Sequence, residues 1–188
     1  GDALASYAAL HSMAIPILLF PTAILSSFSG LLVPECAELD GRGERARLGR
    51  MATRAVSGTL LFSTFSAMLL FLGGENLGLL LYENGDVGRY IRLLAPLVPI
   101  MYLDSVVDAH LKGLGYQVYS MGINIADAAI SVLAVLVFLP VLGADGYVVV
   151  IYMTELLNFV LSLRKLCRVI SFRFSRGAIL RPVLASLF

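Results

Sequence analysis

The chain has 188 residues, of which 59% are hydrophobic and 14% charged, with a mean hydropathy of +0.87. An ordinary soluble domain is about 45–50% apolar and about 25% charged, so this composition excludes a disordered chain, a disulfide scaffold and a typical cytosolic enzyme. It leaves an integral membrane protein, and at about 20 residues per spanning helix there is room for five or six spans. Two Cys (Cys36, Cys167) and two His (His11, His110) support neither a disulfide framework nor a metal site.

The gaps between charged residues predict the spans. Residues 3–34 and 55–74 carry no Asp, Glu, Lys or Arg. Residues 93–111 carry only Asp104 and Asp108, residues 113–144 only Asp127, and residues 146–163 only Glu155. None of these runs alternates apolar and polar residues as a barrel strand must, so they read as helices. The expectation is an all-α polytopic transmembrane bundle over residues 1–163. Its five spans fall at about 7–34, 55–74, 91–111, 119–140 and 146–163. A basic segment follows at 164–180.

The first run contains Pro16 and Pro21, and the third contains Pro96 and Pro99. A proline inside a helix removes one backbone hydrogen bond and bends it. In lipid the freed carbonyls must find partners on neighbouring helices or in cavity water. Both helices are therefore expected to bend, and Ser26 and Ser29 in the first are expected to face protein or water. Two broken helices in one short chain fit a transporter better than a static anchor.

The connections sort by basic residues. Segment 35–54 carries Arg42, Arg45, Arg47, Arg50 and Arg54 and reads as a solvated loop with helical ends. Segment 75–92 carries Arg89 and Arg92, with a turn at Asn84–Gly85. The third connection carries Lys112, with a tight turn at Gly113–Gly115. The fourth, around Gly143 and Asp145 with a turn at Asp145–Gly146, carries none. The C-terminal part carries six. Alternate sides hold twelve and two, so the positive-inside rule places the twelve in the cytoplasm and the N-terminus outside. Cys36 and Cys167 then fall on the reducing side. An outside start without Met or a leader is expected of a fragment. Residues 181–188, with Pro182 in the first turn, are expected to open a further span that is cut short.

Several strings resemble a known family. They are MAIPILLFPTAI (Met13–Ile24), LLVPECAE (Leu31–Glu38), LVPIMYLDSVVD (Leu97–Asp108), LKGLGYQ (Leu111–Gln117) and NIAD (Asn124–Asp127). They are similar to the polysaccharide-biosynthesis branch of the multidrug/oligosaccharidyl-lipid/polysaccharide (MOP) flippase superfamily, nearest to the stage V sporulation protein B group and related to the murein lipid II flippases. The resemblance implies the second lobe of a two-lobed fold, whose partner would be the missing N-terminal lobe of the same protein. It implies a bacterial plasma-membrane flippase that moves an undecaprenyl-pyrophosphate-linked oligosaccharide or peptidoglycan precursor by alternating access, in cell-wall, polysaccharide or spore-cortex synthesis. Lipid II flippases tend to carry Arg near the start of the first helix of this lobe, whereas Tyr7–Pro21 has neither Arg nor Lys.

Ionisable residues at membrane depth are costly and mark cavities or partners. Asp104 lies eight residues before Lys112, about 12 Å in at about 1.5 Å per residue; Asp127 and Glu155 fall at a similar depth. Asp104 with Asp108, Asn124 with Asp127, and Glu155 with Asn158 each share a helix face. These six, with Ser26 and Ser29, are the candidate cavity or ion-coupling residues. Asp108, nearer the interface, can pair with Lys112. Bare carboxylates repel a pyrophosphate, so coupling to a cation (H⁺ or Na⁺) or the tying together of helices fits them better. No other cofactor, no metal, no nucleic acid and no hydrolytic chemistry is indicated; membrane lipid is the expected surroundings. The alternatives are a multidrug and toxin efflux cation antiporter and a structural membrane partner without a transport cycle.

Overall fold

The computed structural model of the chain describes residues 9–170. The expected start of the first span at residue 7, the basic residues beyond 170 and the cut-short span at 181–188 lie outside these. All regular structure among the described residues is helical. A π-helical turn, Ala9–Ala14, runs into α1 (Ile15–Leu19). Then follow α2 (Thr22–Gly41), α3 (Arg45–Tyr82), α4 (Gly85–Leu94), a 3-10 turn (Ala95–Leu97) and α5 (Val98–Gly113). Last come α6 (Gln117–Phe138) and α7 (Asp145–Val169). Among the described residues four segments are long and apolar enough to cross a membrane: α3, α4 with α5, α6 and α7. A fifth is added if the bent pair α1 and α2 is one span.

On α3 the packing is inverted relative to a soluble protein. The buried stripe of α3 reads Ala52, Ala55, Thr59, Ser63, Ser66 and Leu70 before Gly74 and Gly78. Its outer face carries Leu61, Phe65, Leu69, Leu72 and Leu80, all exposed. Small residues let backbones approach closely where lipid removes the hydrophobic drive for helix association, and so broad an exposed apolar surface belongs against lipid. The chain is thus a membrane-embedded helical protein by its own surface.

Helix α5 is the hub and packs against α2, α3 and the α6–α7 pair. Glycines set the closest approaches. A Cβ on Gly78 would fall 2.4 Å from Gly88 N, and one on Gly88 2.7 Å from Glu75 Cα. A Cβ on Gly113 would meet Cys36 Cβ at 2.5 Å. Gly74 and Gly78 form the four-residue glycine spacing that favours close helix pairs, and Arg92 closes the same hairpin through an ion pair with Glu75.

The helix ends alternate between two poles. Arg45 donates to the Val169 carbonyl at 3.5 Å, and Lys165 lies 4.3 Å from the centre of the Tyr116 ring. These contacts gather the α2–α3 turn, the α5–α6 turn and the end of α7. At the other pole Arg89 pairs with Asp145 at 3.3 Å, and His11 hydrogen-bonds with Tyr147 at 3.1 Å. Among the described residues the first pole carries nine Lys and Arg, and the second carries Arg89 and Arg92.

The connections are shorter than in the sequence reading. Segment 35–54 has the expected helical ends, but its loop is only a turn: α2 continues to Gly41 and α3 starts at Arg45, joined at Gly43 (φ 68°). Segment 75–92 is likewise helical on both sides of a hairpin at Glu83–Asn84. There the Asn84 side chain accepts from the Asp86 N–H at 2.9 Å. Arg, Glu and Leu are good helix formers, so a cluster of charge ends the lipid-facing stretch without ending the helix. The turn placed at Asp145–Gly146 lies instead at Gly143 (φ 62°, ψ −144°), and Asp145 starts α7. The turn after Gly113 is as expected, with Gly115 at φ 79°.

Candidate functional site: a polar seam between three helices

The prolines shape the entry to the bundle. At Pro21 the helix breaks and turns through 57° between Leu19 and Thr22. The carbonyls left around the break all have donors. The Phe20 N–H reaches Ile17 O at 3.3 Å, the Tyr102 hydroxyl on α5 donates to Leu18 O at 2.7 Å, and the Thr22 hydroxyl donates to Leu19 O. Helix α1 follows the π-helical turn directly, so the missing N–H of Pro16, its second residue, withholds one donor from that turn. Pro96 is the second residue of the 3-10 turn and Pro99 the second of α5, so the third span is interrupted by one tight turn.

The acids converge where α5, α6 and α7 meet. Asp104, Asp127 and Glu155 are each half-buried. The carboxyls of Asp104 and Asp127 lie within electrostatic range of Glu155 and of each other, with Asp108 beside Asp104. One oxygen of Asp104 and one of Asp127 are buried without a hydrogen-bond partner among the described residues. Asn158 on α7 donates to Asn124 on α6 at 3.2 Å, and the Ser162 hydroxyl donates to Asn158 at 3.3 Å while flanking Asp104. The sequence predicted which pairs share a face. Only the structure shows that Asn124 and Asn158 meet across two helices.

Asp108 is spoken for. It pairs with Lys112 at 2.6 Å and accepts from Ser120 on α6. Lys112 is the cation nearest the seam, and that ion pair occupies it. Burial in a poor dielectric favours the neutral form of the remaining three carboxyls, and where they ionise they attract cations and repel anions. No group of three or more acid, His or Cys side chains among the described residues is arranged to hold a metal ion.

Ser26 and Ser29 stand apart from these contacts. Ser26 is exposed and donates back to Thr22 O at 2.9 Å, whereas Ser29 has a buried hydroxyl without a partner among the described residues. Sequence reasoning missed Ser162 and Tyr102. Ser162 lies four residues after Asn158, a spacing that places it on the same face. Tyr102 had no comparable signal, because its partner is a carbonyl 84 residues away. It also missed His110, which is fully buried, donates from Nδ1 to Val106 O at 2.7 Å and leaves Nε2 without a partner among the described residues. Comparison of the chain with protein-family models, curated proteins and solved structures finds no match.

Proposed function

We propose that the chain is one lobe of a membrane flippase of the MOP type. It would move an undecaprenyl-pyrophosphate-linked oligosaccharide or peptidoglycan precursor across a bacterial plasma membrane, with the arginine-rich pole in the cytoplasm. The strings Met13–Ile24 and Leu97–Gln117 supply the family resemblance. The observation that carries a transport role is the seam: three carboxyls on the apolar helices α5, α6 and α7, two with a buried oxygen lacking a partner among the described residues. Such groups are maintained where ions or protons pass.

In this reading the seam binds H⁺ or Na⁺ and leaves the pyrophosphate to basic groups of a preceding lobe. Occupancy by the cation would draw α5, α6 and α7 together, and its release would let them part. Differential cation affinity of that kind shifts a two-state equilibrium. The broken α1–α2 helix supplies a bend whose carbonyls are already satisfied, so rocking about it exposes no backbone.

The charge of the seam favours a second reading, cation-coupled drug efflux, because carboxyls without free cations suit a cationic substrate. Proteoliposomes of the full-length protein distinguish the two. Asp104→Asn and Asp127→Asn should each lower flipping of a labelled undecaprenyl-pyrophosphate sugar at least tenfold at normal expression and folding. Uptake of an organic cation against Na⁺ or H⁺, with no lipid flipping, would select the antiporter. Normal lipid flipping by both variants would end the coupling role, and neither activity in the parent would select the structural partner.

A further inference from the structure

Outside the seam, a cavity of about 590 Å³ lies between α2 and α3 at the arginine-rich pole. Its mouth holds Arg42, Arg47, Arg50 and Arg54, its acidic members are Glu35 and Glu38, and its floor includes Phe28, Leu32 and Met51. Two of the four arginines are engaged: Arg42 with Glu38 at 2.6 Å and Arg47 with Glu44 at 2.9 Å. Neither Arg50 nor Arg54 is paired with an acid among the described residues. They stand one helical turn apart, and positions four apart share one face of a helix. Below them the lining turns apolar, down to a Phe28 ring that is 43% exposed. From Glu38 to Phe28 the groove runs about 15 Å along the helix at about 1.5 Å per residue.

We infer that this groove is a binding site for an anionic diacyl phospholipid. Its headgroup phosphate would be held by the Arg50 and Arg54 guanidiniums and one acyl chain would lie on Leu32 and Phe28. Guanidinium matches phosphate in a bidentate geometry, and basic clefts between helices at the cytoplasmic face recognise anionic headgroups. The occupant is a lipid rather than a soluble phosphate because the apolar floor continues from the cationic mouth to the depth of the hydrocarbon. A free anion would use the mouth alone and leave that floor unfilled. The inference requires the chain to be in a bilayer and does not depend on what it transports.

The chain has no Trp, so Phe28→Trp places a single indole, excited selectively over tyrosine, at the floor. The full chain carrying it is placed in phosphatidylcholine nanodiscs with increasing brominated phosphatidylglycerol, and quenching is compared with that by brominated phosphatidylcholine. Phosphatidylglycerol should quench at a mole fraction at least fivefold lower. Arg50→Gln with Arg54→Gln should remove that preference, whereas Arg164→Gln with Arg168→Gln, at the same pole outside the groove, should keep it. Arg50→Lys with Arg54→Lys should retain part of it. If the double Gln variant fails to fold, each single Gln substitution should still lower the preference at least twofold. Equal quenching by the two lipids, equal loss in the α7 control, or displacement of phosphatidylglycerol by millimolar inorganic phosphate would overturn the assignment.

Discussion

The Gly78–Gly88 contact allows a sharp test of how the α3–α4 hairpin is held. In Gly88→Ala the new methyl would lie 2.7 Å from Glu75 Cα, 3.0 Å from Gly74 O and 3.2 Å from Glu75 O. All three are backbone atoms and cannot rotate away. Carbon contacts are ordinary at about 3.5–4.0 Å, so the helices must separate by about 1 Å. Overpacking costs about 1–3 kcal/mol, and a clash with backbone alone lies at the upper end, about 2–3 kcal/mol. Alanine returns up to about 1 kcal/mol as a better helix former than glycine, leaving a net loss of about 1–2 kcal/mol. Gly73→Ala is the internal control: its methyl meets only Leu77 Cδ1 at 3.9 Å, so propensity should prevail and stability should rise by up to about 1 kcal/mol. Reversible unfolding in mixed micelles, followed by far-UV circular dichroism, reads both. Equal effects at the two positions, or a Gly88→Ala protein as stable as the parent, would refute the close-packed hairpin.

Two further substitutions probe the backbone. Tyr102→Phe removes the donor to the Leu18 carbonyl and should cost about 1 kcal/mol in the same assay, with faster amide exchange around the α1–α2 break; unchanged exchange would mean that the carbonyl finds another donor. Gly143→Ala forces a side chain into a conformation kept almost entirely for glycine and should cost about 1–3 kcal/mol. Its effect should appear as loss of the Arg89–Asp145 contact, measured by cross-linking between cysteines placed at those positions.

Much of the architecture was legible because lipid imposes a simple rule on composition. Charge-free runs located the apolar cores of the helices, and Pro21 marked the break. The helix ends were not legible, since Arg45, Arg47, Glu75 and Arg92 satisfy a helix as well as a loop, and the charge map sees only the edge of the hydrocarbon. Asp145 misled for a related reason: an acid beside a glycine reads as a turn, yet an acid in the first turn also suits the positive end of a helix. At the seam the residue types and their shared faces followed from spacing. Which face meets which did not, because the contact between Asn124 and Asn158 depends on the rotation of α6 against α7. The Gly74–Gly78 spacing was in plain view, and its partner Gly88 was not, because nothing in local sequence says which helix a glycine approaches.

Helix α6 has the largest dynamic consequence. Only 6% of its apolar window is buried, against 56% for the span that contains α5. Acyl chains fill its flanks as well as protein side chains would, so dispersion scarcely favours one lateral position over another. Its place is fixed by a few polar contacts: Ser120 on Asp108 and Asn124 on Asn158. A helix fastened in this way can slide or swing by trading two or three hydrogen bonds for water, without melting a turn or opening an apolar core. The friction on that motion is set by lipid viscosity, which makes the thickness and fluidity of the bilayer a direct control on how fast α6 moves.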